Sequence, residues 1–310
     1  MLTMEQRLKM LEPPADSADM VLDTDAYNEI DDQFAISYAM MVPEKLHLKA
    51  LYAAPFHNRR SVSPADGMEK SYQEILKLLK LAGKNYPVHR GSTTYLPDET
   101  TPVSSSAAED LAERAMGYTP EAPLYAVAIG AITNVASALL LRPEIADRMV
   151  VVWLGGHALT WHDNLEFNMR QDVAAARVVF NSGVPLVILP CMGVVSGFTV
   201  SGPELVHWLQ GKNALCNYLV QQTCEEAESY AAGRVWSRVV WDVTAVGWLL
   251  NAQGRFMSSQ LIPTPVPAYD HHYGFDPRRP LCRYVYYIKR DALLDDLFCR
   301  LAKSDPFRVR

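Results

Sequence analysis

The sequence predicts an α/β fold, a mostly parallel, Rossmann-like open sheet with helices on both faces and a helical region in the C-terminal third. Three observations predict it. Up to Pro190, short apolar runs alternate with amphipathic stretches, the pattern of strands joined by crossover helices. Residues 149–154 (MVVVWL) and 185–189 (PLVIL) are apolar without alternation, as strands covered on both faces are. Beyond Pro190, closely spaced helical patterns replace the strand-like runs.

Met20-Val21-Leu22 reads as the first strand, and residues 31–41 as a helix with Phe34, Ala35, Tyr38 and Ala39 on one face. Residues 46–54 form a second strand, and residues 72–82 a helix stopped by Gly83. A strand over 124–129 turns at Gly130 into a helix over 133–141. Residues 172–180 read as the helix between the two wholly apolar strands. Three helices follow over 202–210, 215–232 and 242–250. The aromatic run 283–288 reads as a strand, and 291–302 as a last helix. No linker or repeat stands out, so residues 1–310 are expected to form a single domain, with 1–18 as an N-terminal extension.

Composition narrows the function. The 310 residues carry 29 Lys and Arg against 35 Asp and Glu, a net charge of −6, and contain no long basic run, which argues against nucleic acid as a partner. No apolar run approaches the roughly 20 residues that span a bilayer, so no membrane association is expected. The segment MLTMEQRLKMLEPPADSADM, broken by charge and proline, does not suit a secretory leader. Five cysteines, odd in number and without a CxxC pair, point to a reducing cytoplasm.

The densest chemistry is VLDTDAYNEIDD, residues 21–32, which sets Asp23, Asp25, Asp31 and Asp32 directly after the first strand. Ligands of open α/β sheets collect at the carboxyl ends of strands. Carboxylates gathered there repel one another unless a cation neutralises them, and a hard divalent ion suits an all-oxygen set. Alone, the stretch reads equally as a solvated acidic turn, with Asp31 and Asp32 favoured by the dipole of the next helix. Other strand ends add to it: Asn58 in YAAPFHN, Thr133-Asn134 in AIGAITN, and Glu166 and Asn168 in LEFNMRQD. Each alone reads as a cap or loop residue. Together they offer acids and amides, the groups that bind polyols and hard cations.

These stretches resemble the inosine/uridine-type nucleoside hydrolases. LDTDAYNEIDDQFAI, AAPFHN, AIGAITNVASALLLRPEI, LEFNMRQDVAAARVVF and VWDVTAVGWLL follow that family's order from about residue 20 to about residue 250. The resemblance implies the nucleoside hydrolase fold and cleavage of a ribonucleoside to free base and ribose by a Ca2+-held water. It implies one Ca2+ per chain, held by Asp25, Asp32, Asp242 and the main-chain oxygen of Ile129, with Asp31 as general base. Asn58, Glu166 and Asn168 are implied to bind the ribose, Asp23 to orient a ligand from behind, and the chain to form a homo-oligomer (dimer or tetramer).

Two departures bear on the site. Five residues, 26–30, separate Asp25 from Asp31 where the family's loop has three, which opens the ribose site to Asn28 or Glu29. Trp241 stands where many relatives carry a His that protonates the departing base. The base is therefore expected to be protonated by another residue or by water, or to be stabilised by stacking, with Trp241 contacting substrate. His157, Trp161, His162 and Trp236, or His271 and His272 from the tail, are further candidates near the base; each reads more readily as a packed aromatic or a loop residue. Base preference stays open. Two rival readings remain: a catalytically weak calcium-dependent nucleoside or ribose binder, and a haloacid-dehalogenase-like phosphatase with Asp23-Thr24-Asp25 as its acid pair.

Overall fold

The computed structural model describes residues 2–303. Seven strands run parallel in its sheet, a late one at Leu281–Ile288 and the six that come first in the chain: β1 (Ala18–Thr24), β2 (Leu46–Ala53), β3 (Val88–Arg90), β4 (Leu124–Ala128), β5 (Met149–Leu154) and β6 (Leu186–Leu189). β7 (Thr199–Val200) and β8 (Arg238–Val239) pair separately, as do β10 (Val266–Pro267) and β11 (Tyr273–Gly274). β9 (Met257–Pro263) and β12 (Leu281–Ile288) complete a sheet ordered β3-β2-β1-β4-β5-β6-β12-β9, in which β9 alone is antiparallel to its neighbour. The order reverses between β1 and β4, which opens a crevice at their carboxyl ends. The predicted mostly parallel open sheet is therefore the observed one.

The helices are α1 (Met4–Met10), α2 (Asp31–Met40), α3 (Pro64–Ala82), α4 (Ser106–Ala115), α5 (Thr133–Leu141), α6 (Phe167–Gln171), α7 (Val173–Asn181), α8 (Gly202–Leu209), α9 (Ala214–Ala231), α10 (Val243–Trp248) and α11 (Arg290–Ala302). Strand periodicity splits the core in two. Met20, Leu22, Val127 and Val152 point to one face, under Phe34 of α2, Leu78 of α3, Leu219 of α9, Val246 of α10 and Leu297 of α11. Val21, Ala126 and Val151 point to the other, under Leu111 of α4, Val135 of α5 and Val179 of α7. Every residue of α2 is buried, because α3, α9, α10 and α11 all pack around it on the same face of the sheet.

The structure lengthens some expected elements and adds others. α3 begins at Pro64, with Ser63 as N-cap accepting from the Asp66 N–H, well before residue 72. β3 and α4 were not expected. Asp172 is the N-cap of α7, its side chain accepting from the Ala175 N–H, and Asp242 is the cap of α10; neither opens its helix. The N-terminal segment is tied to the body: Met10 and Leu11 are buried, and Arg283 Nε donates to Leu11 O at 3.0 Å. Among the described residues no helix is long and apolar enough to cross a membrane.

Candidate active site

A cavity of about 220 Å³ lies at the crevice between β1 and β4. Its floor is acidic. Asp25 follows β1, Asp31 and Asp32 open α2, Asp242 is the cap residue just before α10, and Ile129 follows β4; all five line the cavity. The four carboxylates are at most 3% exposed. One oxygen each of Asp31, Asp32 and Asp242 lies within 4.8 Å of the others. Asp25 stands outside that close triple but on the same floor, and neither of its carboxylate oxygens receives a hydrogen bond from another described residue. Asp32 accepts from Thr24 Oγ1 and shares a hydrogen bond with Asp242.

Burial, reinforced by neighbouring carboxylates, pushes Asp25, Asp31 and Asp242 well above the usual carboxylate range. Burial takes Asp32 and Asp23 up to about 7. Four buried acids that cannot all be ionised next to one another make a site that protonation or a cation must complete. Gly130 makes room for it: a Cβ there would stand 3.0 Å from Asp25 Oδ1 and 3.1 Å from Ala54 Cβ.

The opposite side is built differently. Glu166 caps α6, and its carboxylate accepts from the N–H groups of Asn168 (2.9 Å), Met169 (2.8 Å) and Gly156 (2.9 Å). Burial still raises its pKa, while those three hydrogen bonds pull it back. Asn168 Nδ2 donates to Ile129 O at 3.2 Å and to Leu154 O at 3.1 Å, which ties the ends of β4 and β5 together. Leu154, His157, Leu165, Phe167, Met192 and Trp241 finish this less polar wall.

The family model for inosine-uridine preferring nucleoside hydrolase matches residues 20–272. The chain belongs to that family. It is thus a hydrolase of the N-glycosyl bonds of ribonucleosides, a family of generally metal-dependent enzymes acting on small molecules. A non-specific ribonucleoside hydrolase of Salmonella paratyphi A is 26% identical over 263 residues, 76% of this chain and 80% of that one. A pyrimidine-specific ribonucleoside hydrolase of Citrobacter koseri is 28% identical over 51% of this chain, which spans about half (55%) of that relative's length. A purine-preferring ribonucleoside hydrolase from Gardnerella vaginalis has the same fold, with a TM-score of 0.75 at 19% identity over 92% of this chain and 98% of that one.

Within this nucleoside hydrolase site, Asp25, Asp31, Asp32, Ile129, Glu166, Asn168, Trp241 and Asp242 come together as the sequence suggested. Asn58 stands one residue back: its Nδ2 donates to Asn28 Oδ1, and Asn28, with Glu29, lines the cavity. The five-residue loop explains this, because Asn28 N–H closes a turn on Asp25 O at 2.7 Å and the extra residues fold inward while α2 still starts at Asp31. Asp23 is buried behind the floor, its Oδ1 accepting from Asn134 Nδ2 at 2.7 Å, and it does not line the cavity as a phosphatase nucleophile would have to.

Of the aromatic candidates, His157 lines the cavity, and Trp161 packs edge-on against it at 6.0 Å. Trp236 packs on Gly202, and His162 is largely exposed beside Asp163. His271 and His272 do not line the cavity; the His271 main-chain oxygen accepts from the Asn164 N–H at 2.7 Å. Cys191 and Met192 escaped the sequence reading although they follow β6; the strand-end rule that found Asn58 and Glu166 applies to them equally.

Proposed function

We propose that Asp25, Asp32, Asp242 and the main-chain oxygen of Ile129 hold one Ca2+, and that Asp31 is the general base for hydrolysis of a ribonucleoside bound over them. The observation that carries this reading is the floor of four buried carboxylates, three with oxygens within 4.8 Å and the fourth, Asp25, with both oxygens unpartnered. The donor set is all oxygen, the preference of a hard divalent cation. Bound there, Ca2+ would supply the positive charge that lets these acids ionise together and a Lewis acid for hydroxyl groups and water.

The residues of the chain do the rest. Asn28, Glu166 and Asn168 converge on the same cavity and suit the ribose hydroxyls, while Asn58 holds Asn28 in place. The ribosyl C–N bond breaks with positive charge growing on the sugar, which a floor of carboxylates stabilises. Asp31 takes the proton of the attacking water, a role worth about 10²–10⁴ in rate. Trp241 offers a ring face to the base. Homo-oligomerisation and a cytoplasmic setting belong to this proposal; five cysteines with none in a disulfide suit a reducing compartment.

Free ribose released from a panel of purine and pyrimidine nucleosides tests the reading. Turnover should vanish with a strong chelator and return with Ca2+. The Asp31→Ala variant should lose about 10²–10⁴ in kcat yet keep Ca2+ binding. Saturable nucleoside binding without ribose release would make the chain a binder, and near-normal kcat in Asp31→Ala would remove Asp31 as base.

A further inference from the structure

We infer that His157 donates a hydrogen bond from Nε2–H to the departing base and so stabilises the charge that the broken bond leaves on it. The inference rests on the hydrolase reading above and concerns the opposite end of the same cavity.

Breaking the bond between the sugar and the base sends its electron pair to the base nitrogen. Water's oxygen bonds to the sugar carbon, its proton passes by way of Asp31 to solvent, and the base takes a proton from solvent once it has left. Until then the base carries negative charge, and the acidic floor can only repel it. A donor is needed on the far wall.

Apart from Trp241, whose ring face is assigned to stacking, the other polar side chains there are committed. Asn168 Nδ2 is held by two main-chain carbonyls, and Glu166 is an acceptor already met by three N–H groups. The Cys191 thiol hydrogen-bonds Glu166. His157 is the imidazole among the lining residues, and no other described residue hydrogen-bonds its Nε2.

Its ring is also fixed in the tautomer that a donor requires. The Met192 N–H donates to His157 Nδ1 at 3.4 Å, which places the imidazole proton on Nε2. The main chain on either side is clamped: Ala158 N–H donates to Met192 O (2.9 Å), Cys191 N–H to Gly156 O (2.8 Å), and His157 N–H to Asn164 Oδ1 (2.7 Å). Gly156 is built for this turn, with φ of 74°, and a Cβ there would meet Tyr273 Oη at 2.1 Å. Burial and the neighbouring His162 lower the His157 pKa, against the pull of Asp163, which keeps the ring a neutral donor. A neutral imidazole held in one tautomer polarises a developing anion without reorganising.

The test compares two leaving groups in the full-length protein loaded with Ca2+. Uridine and inosine need help with the departing base; p-nitrophenyl β-ribofuranoside releases a stable phenolate that does not. His157→Phe, which keeps the ring volume, should lose about 10²–10³ in kcat on the nucleosides. It should stay within about threefold of wild type on the nitrophenyl riboside. His157→Gln, which restores an N–H donor, should recover at least about tenfold on nucleosides over His157→Phe. Equal losses on both substrates would mean a structural role and overturn the inference, as would no loss on nucleosides. Wild-type cleavage of the nitrophenyl riboside establishes the hydrolase independently, so such results would sink the role of His157 alone. Wild type inert on all three substrates would overturn both.

Discussion

Asp25 and Glu166 are two buried carboxylates facing one cavity, and they are treated in opposite ways. Glu166 has three main-chain N–H donors within 2.9 Å; Asp25 has no donor from another described residue. A folded chain tolerates a buried acid when it is fully hydrogen-bonded, left protonated, or completed by something the chain does not supply. Glu166 belongs to the first class and is structural as much as functional, because its hydrogen bonds set the turn into α6. On the proposed metal reading Asp25 belongs to the last, and the contrast would then separate residues that make the cavity from residues that bind its contents.

The largest effect expected from this contrast is on Ca2+ affinity. Asp25→Asn should weaken Ca2+ binding about a hundredfold, or about 2.7 kcal/mol by calorimetric titration. The metal-free protein should melt at the same temperature or higher, since a buried acid without a donor has gone. A metal-free form that melts clearly lower would show that Asp25 is already satisfied within the fold. Glu166→Gln should do the reverse. Losing acceptor capacity for three N–H groups should cost about 1–3 kcal/mol of unfolding free energy, with Ca2+ affinity changed less than in Asp25→Asn.

The smallest effect is a dependence on pH. Asp23 and Asp32 titrate near 7 in the metal-free fold, above the value of an unfolded carboxyl. A raised folded pKa gives stability that is complete below the unfolded value, near 3.8, and is lost as pH rises through about 7. Metal-free protein should therefore lose melting temperature between about pH 4 and 8. Ca2+-loaded protein, with its acids ionised and neutralised, should lose less. The gap between the two melting curves should widen with pH; a constant gap would mean that the floor is not what the ion binds.

Much of the sheet was legible because doubly covered parallel strands write themselves as unbroken β-branched runs, as in β5 and β6. Helix α3 was legible only in its second half. Its first turns contain Gly67, a poor helix former, which is there because Phe56 O lies 2.0 Å from where a Cβ would be. β3 is three residues long, too short for periodicity to show, and the serine-rich lead into α4 reads as loop. The aspartates of residues 23–32 were legible as a cluster, but equally as a solvated turn until the other strand ends and the family's order of motifs were added. Asp242 came from that resemblance alone. Asn28 and Cys191 were not resolved as site residues, since an insertion's direction and the partner of a thiol depend on three-dimensional packing that no local pattern encodes.

The floor draws on both ends of the chain. Asp25, Asp31 and Asp32 emerge with the first strand and helix, whereas Asp242 arrives only when α10 settles on α2. On the proposed metal reading, the ion would gain its last carboxylate only once α10 has docked on α2. Ion uptake would then be a late step of assembly, and a chain cut short of α10 would lack a complete floor.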